Sequence, residues 1–527
     1  MSTTTVAALT SAITDFDDKV FIEDGDLKLT FSDTQRLCHQ AAATLIGRGF
    51  ALGDRAAIWA PNISQWVLAA LAIHCAGGVV VPINSRFKGP EATDILAASA
   101  AKWLFSIGEF LNTDYPSQIE HSQLPQLEGI VVLRGTSKAL HSTWTDWLAE
   151  GQGQLSASPQ LVTERSALVS GDHPSDIIFT SGTTGKAKGV ITTHQQNLRT
   201  FTIWSDLVGL DQSDRYLIVN PFFHSFGYKA GILACLLKGC TLIPQLVFDV
   251  DQVLERIAAD KITMLPGPPT LYQSLLAHPK LNDYDLNSLT KATTGAAVIP
   301  TELIDNIRQR LGITTVLTAY GLSESCGLAT MCRHGDPSAT IASTSGRAIP
   351  GIEVACLDRD GRHCNADEIG EIVIRGFNVM QGYLDSPEAT AESIDTAGWL
   401  HTGDIGSLDS DGNLKITDRL KDMYISGGFN CYPAEIESSL NRHPSIVMSA
   451  VIGIAETLMG EVGAAFIQSA DPELDADAMH QWCRTNMANY KVPKHFIFVD
   501  SLPLNATGKI HKPTLHESWS KGQSTSL

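Results

Sequence analysis

Helix-like stretches alternate with short β-branched runs through about the first 415 residues of this chain. Residues 64–74 have helical spacing of apolar side chains and precede Val79–Pro82, and residues 231–237 precede Thr241–Pro244 in the same way. Parallel strands need a long connection, usually a helix, so this alternation is typical of parallel sheets covered by helices. We therefore predict an α/β fold with a large N-terminal domain of this kind.

The alternation gives way near Ile349 to closely spaced strand candidates that are punctuated by Gly and Asp. They lie at residues 351–357, 370–376 and 412–417. This spacing predicts a smaller β-rich subdomain at the end of the large domain.

A separate, small α+β domain is predicted at the C-terminus. Its predicted helices are residues 433–441 and 476–487, and its predicted strands are residues 447–454 and 496–499. We place the boundary at Lys421, which gives domains 1–420 and 421–527. The polar residues 517–527 are expected to form a frayed tail.

Charge and hydropathy exclude several classes of partner. Lys and Arg number 38 against 57 Asp and Glu, so the formal charge of −19 disfavours nucleic-acid binding by global charge. The longest apolar regions, residues 66–82 and 230–244, are interrupted and fall short of a membrane span.

Ten cysteines without a Cys-x-x-Cys pair predict mostly buried thiols in a reducing compartment, the cytoplasm. The oligomeric state stays open.

The most informative segment is residues 179–190. It contains three glycines, four hydroxyl residues and two lysines, which predict a phosphate cradle because glycine lets backbone N–H groups close on phosphate oxygens. It is not a Walker loop, since only two residues separate Gly182 from Gly185 and Lys186 is followed by Ala187. Residues 190–192 predict a second strand, so the loop joins two strands. An ordinary turn is the alternative, but turns seldom concentrate cations.

This loop resembles the signature loop of the adenylate-forming superfamily, which comprises acyl-CoA synthetases, luciferases and peptide-synthetase adenylation domains. The family usually has Pro where Ala187 stands. Further segments that resemble family motifs follow in family order along almost the whole chain. The resemblance implies an AMP-forming acid–thiol ligase, in which ATP, with Mg²⁺, activates a carboxylic acid as an acyl-adenylate and CoA then accepts the acyl group.

Three segments resemble the parts of the family that bind the nucleotide. Residues 320–324, Tyr-Gly-Leu-Ser-Glu, imply an aromatic ring against adenine and a carboxylate that holds Mg²⁺, although the family generally has Thr in place of Ser323. Residues 294–297 resemble the small-residue turn that forms the other wall of the adenine site and one side of the acyl pocket. Residues 399–404 and the segment from Arg419 resemble the ribose-binding pair, although an isolated Asp after Gly is commonly a turn residue.

Three more segments resemble the acyl and CoA parts of the site. Residues 220–228 resemble the segment in which His224 gates the acyl pocket, and a buried core histidine is the alternative. Lys421 stands where the family has its hinge, and residues 426–430 resemble the glycine loop that lines the pantetheine tunnel. Residues 503–509 resemble the last family motif, whose lysine reaches the α-phosphate and the attacking carboxylate.

The resemblance thus assigns every site residue by position. The catalytic residues are Thr180, Lys186, His224, Glu324 and Lys509. The Mg²⁺ ligands are Glu324 and Thr180. The residues that bind ATP or CoA are Thr180, Ser181, Gly182, Thr183, Thr184, Gly185, Lys186, Gly295, Ala296, Tyr320, Gly321, Ser323, Asp404, Arg419, Lys421, Gly427 and Gly428.

Other functions are weighed against this ligase. A peptide-synthetase domain would feed a carrier domain, yet only 18 residues follow Lys509, so free CoA is the expected acceptor. Luciferase-type oxidation shares the adenylation residues and stays open. A serine hydrolase needs Gly-x-Ser-x-Gly, and residues 321–325 fail at the last position. A non-catalytic nucleotide-binding protein remains an alternative, but it would have little need of Lys509.

The acid is the least constrained part of the prediction. Residues 84–89, 220–231, 265–270 and 427–433 resemble ligases that activate the indane-dione propanoate left by steroid ring degradation. The resemblance implies a hydrophobic carboxylic acid, with bulky alicyclic acids ahead of straight chains. A medium- or long-chain fatty acid is the alternative.

Overall fold

The computed structural model describes residues 2–138, 141–180, 187–295, 299–419, 422–426, 429–431, 433–456, 459–487, 489–505 and 510–522. Contacts divide the chain into two compact units. The first unit comprises Met1–Val354 and Ile374–Leu400, and the second comprises Ala355–Val373 and His401–Leu527. The predicted domain boundary at Lys421 stays a prediction.

The described residues form sixteen α-helices. In chain order they are α1 Thr5–Phe16, α2 Phe31–Gly47, α3 Ser64–Cys75, α4 Gly89–Ser99, α5 Trp144–Ala157, α6 Leu161–Ser166, α7 His194–Val208, α8 Ala234–Lys238, α9 Val250–Ala259, α10 Pro269–Leu276, α11 Thr301–Arg310, α12 Ser338–Ser343, α13 Pro387–Ser393, α14 Pro433–Leu440, α15 Ala476–Asn486 and α16 Lys512–Ser520.

The described residues also form twenty-seven strands. They are β1 Val20–Asp24, β2 Leu27–Thr30, β3 Arg55–Trp59, β4 Val79–Pro82, β5 Trp103–Ile107, β6 Glu109–Phe110, β7 Thr113–Asp114, β8 Gly129–Arg134, β9 Ser142–Thr143, β10 Pro174–Thr180, β11 Lys188–Thr193, β12 Arg215–Ile218, β13 Thr241–Pro244, β14 Lys291–Gly295, β15 Thr315–Tyr320, β16 Thr330–Met331, β17 Arg347–Ala348, β18 Ile352–Leu357, β19 Gly370–Gly376, β20 Gly382–Tyr383, β21 Leu400–Leu408, β22 Leu414–Arg419, β23 Tyr424–Ser426, β24 Phe429–Cys431, β25 Ile446–Glu456, β26 Gly460–Ser469 and β27 His495–Phe498.

Two large sheets form the first unit. One has the order β20-β11-β10-β4-β3-β5-β8-β9, and its pairs from β10 to β9 are parallel. The other contains β2-β1-β13-β12 and β14-β15-β16-β17, and Met264 bridges β12 to β14 through parallel contacts with Tyr216 and Lys291. Helix α3 between β3 and β4 is buried almost all round, as a crossover helix inside a large core must be. The prediction of parallel sheets covered by helices is confirmed.

The second unit contains a β-sheet with the order β24-β23-β26-β25, and β27 pairs with β26. Along β25, Val451 belongs to one apolar cluster, whereas Ala450 and Ile452 belong to another. Successive side chains of a strand point to opposite faces, so this sheet is covered on both sides. Helices α14 and α15 supply Ile436 and Met479 to the first cluster.

Local differences from the prediction have identifiable causes. Residues 231–237, predicted as one helix, contain the end of a π-helical segment, Phe226–Leu233, followed by α8. Strand β26 was not predicted because its small residues give little β signal in the sequence. The prediction of a frayed tail is wrong for residues 517–520, since they belong to α16, whose Leu515 is fully buried in the second cluster.

Among the described residues, none of the helices combines the length and apolarity needed to cross a bilayer. All ten cysteines lie in the described residues as free thiols, and nine of them are buried. The interpretation of most cysteines as small buried thiols is therefore confirmed.

Candidate active site

Strands β10 and β11 form the antiparallel hairpin that carries the predicted phosphate loop. Thr180 pairs with Lys188 at its end, and the Thr180 hydroxyl donates to the Lys188 carbonyl at 3.5 Å. The prediction that the loop joins two strands is confirmed. Because a regular ladder holds both ends of the loop, the positions of Thr180 and Lys188 are fixed by the sheet.

Strand β20 brings Glu324 close to this hairpin. It pairs with β11, and the Tyr383 ring centroid lies 4.9 Å from the Lys188 ammonium. The Tyr383 hydroxyl donates to Glu324 Oε1 at 2.9 Å. Burial, and then the negative charge of Glu324, raise the pKa of Tyr383, so its hydroxyl stays protonated and keeps donating. The two predicted Mg²⁺ ligands are therefore connected through this sheet. Thr180 ends β10, β11 pairs with both β10 and β20, and Tyr383 of β20 contacts Glu324.

The turn that carries Glu324 depends on a close backbone approach. A Cβ on Gly321 would lie 2.4 Å from the Leu328 nitrogen, so only glycine fits there. The Gly327 N–H donates to the Leu322 carbonyl at 2.8 Å and closes the turn. The carbonyl of Glu324 accepts from the Met380 N–H at 2.8 Å. Hydrogen bonds therefore fix both the main chain of Glu324, through Met380, and its side chain, through Tyr383.

The two predicted walls of the adenine site end neighbouring parallel strands. Gly295, the last residue of β14, pairs with Ala319 of β15, and Tyr320 follows at the carboxyl end of β15. Tyr320 is buried and Gly295 is partly exposed. Open parallel sheets bind ligands at this edge, so the placement fits a nucleotide site.

His224 lies in the turn between β12 and the π-helical segment. Its side chain is exposed, and its Nδ1 accepts from the Phe226 N–H at 3.4 Å. The alternative of a buried core histidine is therefore wrong. The neighbouring Ser225 packs against Gly327, where an added Cβ would lie 3.1 Å from the Ser225 Cβ. The predicted acyl segment consequently lies against the turn that carries Glu324.

Ser225 Oγ and Thr294 Oγ1 are among the buried hydroxyls that have no hydrogen-bond partner within the described residues, as is Thr293 Oγ1 on the adjacent residue. Ser225 is 3% exposed and Thr294 is 6% exposed. An unpaired buried hydroxyl is costly, so each of these atoms fits a ligand atom that accepts a hydrogen bond.

Asp404 lies within strand β21 in the second unit. It pairs directly with Arg419 of β22, so the alternative of a simple turn residue is wrong. The Asp404 N–H donates to Thr402 Oγ1 at 3.1 Å, and the preceding Gly403 N–H donates to Glu371 Oε1 at 3.1 Å. The second oxygen of Glu371 contacts His401 Nδ1 at 2.8 Å. Glu371 therefore holds the chain on the N-terminal side of Asp404.

Several predicted site residues lie outside the described residues. They are Ser181, Gly182, Thr183, Thr184, Gly185, Lys186, Ala296, Lys421, Gly427, Gly428 and Lys509. Sequence reasoning missed Tyr383 and Glu371, and it gave no individual role to Ser225 and Thr294, which lie within the predicted segments 220–228 and 294–297. No spacing rule singles them out, and only the pairing of distant segments or the burial of a hydroxyl does so.

The comparisons with known proteins cover nearly the whole chain. The family model of AMP-binding enzymes matches residues 9–384, and that of the AMP-binding enzyme C-terminal domain matches residues 435–509. Two relatives, from Mycobacterium tuberculosis and Rhodococcus jostii, are named as CoA ligases of a 7a-methyl-1,5-dioxo-octahydro-indenyl propanoate. They are 47% and 45% identical over 515 and 521 residues, which cover 98% of each chain. A crystal structure of an anthranilate CoA ligase with anthranoyl-AMP matches with a TM-score of 0.86 and 26% identity over 98% of this chain and 99% of that one.

Proposed function

The chain belongs to the AMP-binding enzymes and is an AMP-forming acyl-CoA synthetase, and from this premise we propose that its acid is the bicyclic diketone propanoate named in its relatives. The observation that carries the proposal is 45–47% identity over 98% of the chain to two ligases of that acid. The co-substrates of the enzyme are ATP, with Mg²⁺, and CoA.

The chemistry of the site supports a keto acid over a fatty acid. The bicyclic acid carries two ketone oxygens, which accept hydrogen bonds, whereas an alkyl chain offers no acceptor beyond its carboxylate. The unpaired hydroxyls of Ser225 and Thr294 are donors of the required kind. A pocket that supplies such donors disfavours a ligand without acceptors, because the hydroxyls then stay buried and unpaired.

We assign the adenylation step to residues around the hairpin. A carboxylate oxygen attacks the α-phosphorus of ATP in line, and pyrophosphate leaves. The hydroxyls of residues 180–184, with Lys186 and Lys509, offset the negative charge that concentrates there. Glu324 and Thr180 supply oxygen ligands for Mg²⁺, and Tyr383 orients Glu324. Asp404 accepts from the ribose hydroxyls, and Arg419 donates nearby.

The thioester step is assigned to the C-terminal residues. Rotation about Lys421 withdraws Lys509 and presents Gly427 and Gly428 to the pantetheine arm, and the CoA thiol then displaces AMP from the acyl-adenylate. His224 borders the acid. A reducing cytoplasm, where ATP and CoA are available, is the proposed location for an enzyme with ten free thiols.

An exchange assay between ATP and labelled pyrophosphate tests the substrate directly. We expect the highest kcat/KM with the bicyclic keto acid, a lower value with straight-chain fatty acids, and none with acetate or an amino acid. A preference for a fatty acid would overturn the proposal. The Lys509→Ala protein serves as the mechanistic control, since it should lose exchange yet still transfer the acyl group from supplied acyl-adenylate to CoA.

Ser225→Ala refines this test. Loss of one hydrogen bond to a ketone should raise KM for the bicyclic acid roughly 5-fold, equivalent to ~1 kcal/mol, and leave KM for a fatty acid unchanged. An equal rise for both acids would show that Ser225 does not contact a ketone.

A further inference from the structure

A charged pair is completely buried beneath the hairpin. Lys229 Nζ lies 2.9 Å from Asp176 Oδ1, and the two side chains are 1% and 0% exposed. Sequence analysis assigned no role to either side chain. The established chemistry of the enzyme does not use them, because neither reaches the surface at which substrates bind.

Every neighbour of this pair is also buried. The Lys229 ammonium donates to Thr192 Oγ1 at 2.9 Å, and Thr192 Oγ1 donates to Asp176 Oδ1 at 3.0 Å. Asp176 Oδ2 accepts from Asn197 Nδ2 at 2.5 Å and from Ser175 Oγ at 2.9 Å. Both oxygens of the carboxylate are therefore satisfied, as a buried charge requires.

The pair joins segments that border the site. Asp176 and Thr192 lie on β10 and β11, the strands that carry the phosphate loop. Lys229 lies in the π-helical segment that starts two residues after His224. Ser225, which directly precedes this segment, packs against Gly327 of the turn that carries Glu324. The pair thus connects the hairpin to the acyl segment, and the acyl segment in turn lies against the Glu324 turn.

Stability alone does not account for a buried ion pair. Desolvation of two charges offsets much of their attraction, and apolar replacements of similar volume are often equally stable. The hairpin has its own ladder and is flanked by β4 and β20. The π-helical segment belongs to no strand ladder, and π-helices are rare and often lie at functional sites. The hydrogen bond between Tyr228 and His74 links this segment to helix α3, and the pair of Lys229 and Asp176 links it to the hairpin.

We propose that Lys229 and Asp176 are positioning residues that fix the His224 segment, and with it the bound acid, in register with the phosphate loop. The proposal rests on the placement of the acid beside residues 220–228. It does not depend on which acid the enzyme prefers, because the test uses whichever acid gives wild-type exchange.

The double variant K229M/D176N tests this role. Met keeps most of the lysine volume, and Asn keeps hydrogen bonds to Asn197 and Ser175, so the protein should fold with a melting temperature close to that of the wild type. Misplacement of the acid should raise its KM about tenfold or more. The Kd of ATP, measured by calorimetry, should change less than about twofold, because the ladder still holds the hairpin.

A second ion pair of the first unit, with a buried aspartate and a less deeply buried lysine, serves as the control. Lys291 Nζ lies 2.8 Å from Asp214 Oδ1, where Lys291 starts β14 and Asp214 precedes β12, at the amino ends of these strands. K291M/D214N should leave both the KM of the acid and the Kd of ATP unchanged. If both double variants alter the two constants alike, the pair at Lys229 is merely structural and the proposal falls.

Thr192→Val gives a milder second test if the double variant does not fold. It removes only the hydroxyl shared by Lys229 and Asp176. We expect a smaller rise in the KM of the acid at an unchanged Kd of ATP. An unchanged KM in Thr192→Val would overturn the proposal, as would wild-type constants in a folded K229M/D176N. Absence of acid-dependent exchange in the wild type would instead contradict the ligase function itself.

Discussion

Single side chains at this site act through neighbours that are distant in sequence. Glu324 is oriented by Tyr383, which lies 59 positions away and also covers the Lys188 ammonium with its ring. A hydrogen bond to a carboxylate contributes more than a neutral one. Tyr383 is therefore a described residue through which the geometry of the proposed Mg²⁺ ligand, Glu324, can be tested.

Tyr383→Phe removes this hydroxyl and keeps the ring over Lys188. Loss of a hydrogen bond to a charged group, about 1.5–3 kcal/mol, should raise the KM of Mg·ATP about 10- to 150-fold, and part of the loss should be recovered at high Mg²⁺. Steady-state kinetics across a Mg²⁺ series measures both effects. Tyr284→Phe, a change at a position remote from β20, is the control, and an equal KM in both variants would contradict the role of Tyr383.

At the scale of elements, close backbone approaches at glycines determine the conformation of the segments that carry the proposed site residues. The turn after β15 requires Gly321, and the π-helical segment requires Gly227, whose added Cβ would lie 2.0 Å from the Pro221 carbonyl oxygen. Sequence periodicity predicted a helix near residues 231–237 but not its π-helical start. Apolar spacing does not distinguish the two helix types. In the structure Gly231 packs against Ile218 at the end of β12, and Gly227 packs against Pro221 in the turn that follows.

Gly321→Ala should distort the turn that holds Glu324. Its Cβ would meet backbone atoms, which cannot rotate away, so we expect a loss of kcat of at least about tenfold and a lower melting temperature. Gly153→Ala is the matched control. It lies in helix α5 with open space around it, and alanine should raise the melting temperature slightly without changing kcat. Normal kcat in Gly321→Ala would show that the turn tolerates displacement.

At the scale of the molecule, buried histidines link stability to pH. Burial lowers the pKa of His74 from 6.5 to about 4, and burial together with the charge of His74 lowers the pKa of His194. His74 Nε2 lies 2.6 Å from the Tyr228 hydroxyl. The unfolded chain binds protons at these positions more readily than the native protein does. The contribution of these histidines to the free energy of unfolding is therefore fully present above pH 6.5 and is lost as the pH falls toward 4.

The free energy of unfolding should therefore fall by about 2 kcal/mol between pH 7 and pH 5 through His74 alone. Urea denaturation at a series of pH values measures this slope. His74→Gln keeps a hydrogen-bonding group beside Tyr228 and should flatten the slope. The exposed His121 provides the control, since His121→Gln should keep the wild-type slope, and an unchanged slope in His74→Gln would contradict the linkage.

Local patterns in the sequence determined the class of fold and the hairpin that carries the phosphate loop. Alternating helices and strands predicted the parallel sheets, and a glycine- and lysine-rich loop predicted the hairpin at Thr180 and Lys188, because periodicity and turn chemistry act over a few residues. The tertiary structure alone decided that Tyr383 meets Glu324 and that Lys229 meets Asp176. Such contacts join residues more than fifty positions apart, and only the packing of turns and helical segments against the sheet brings them together.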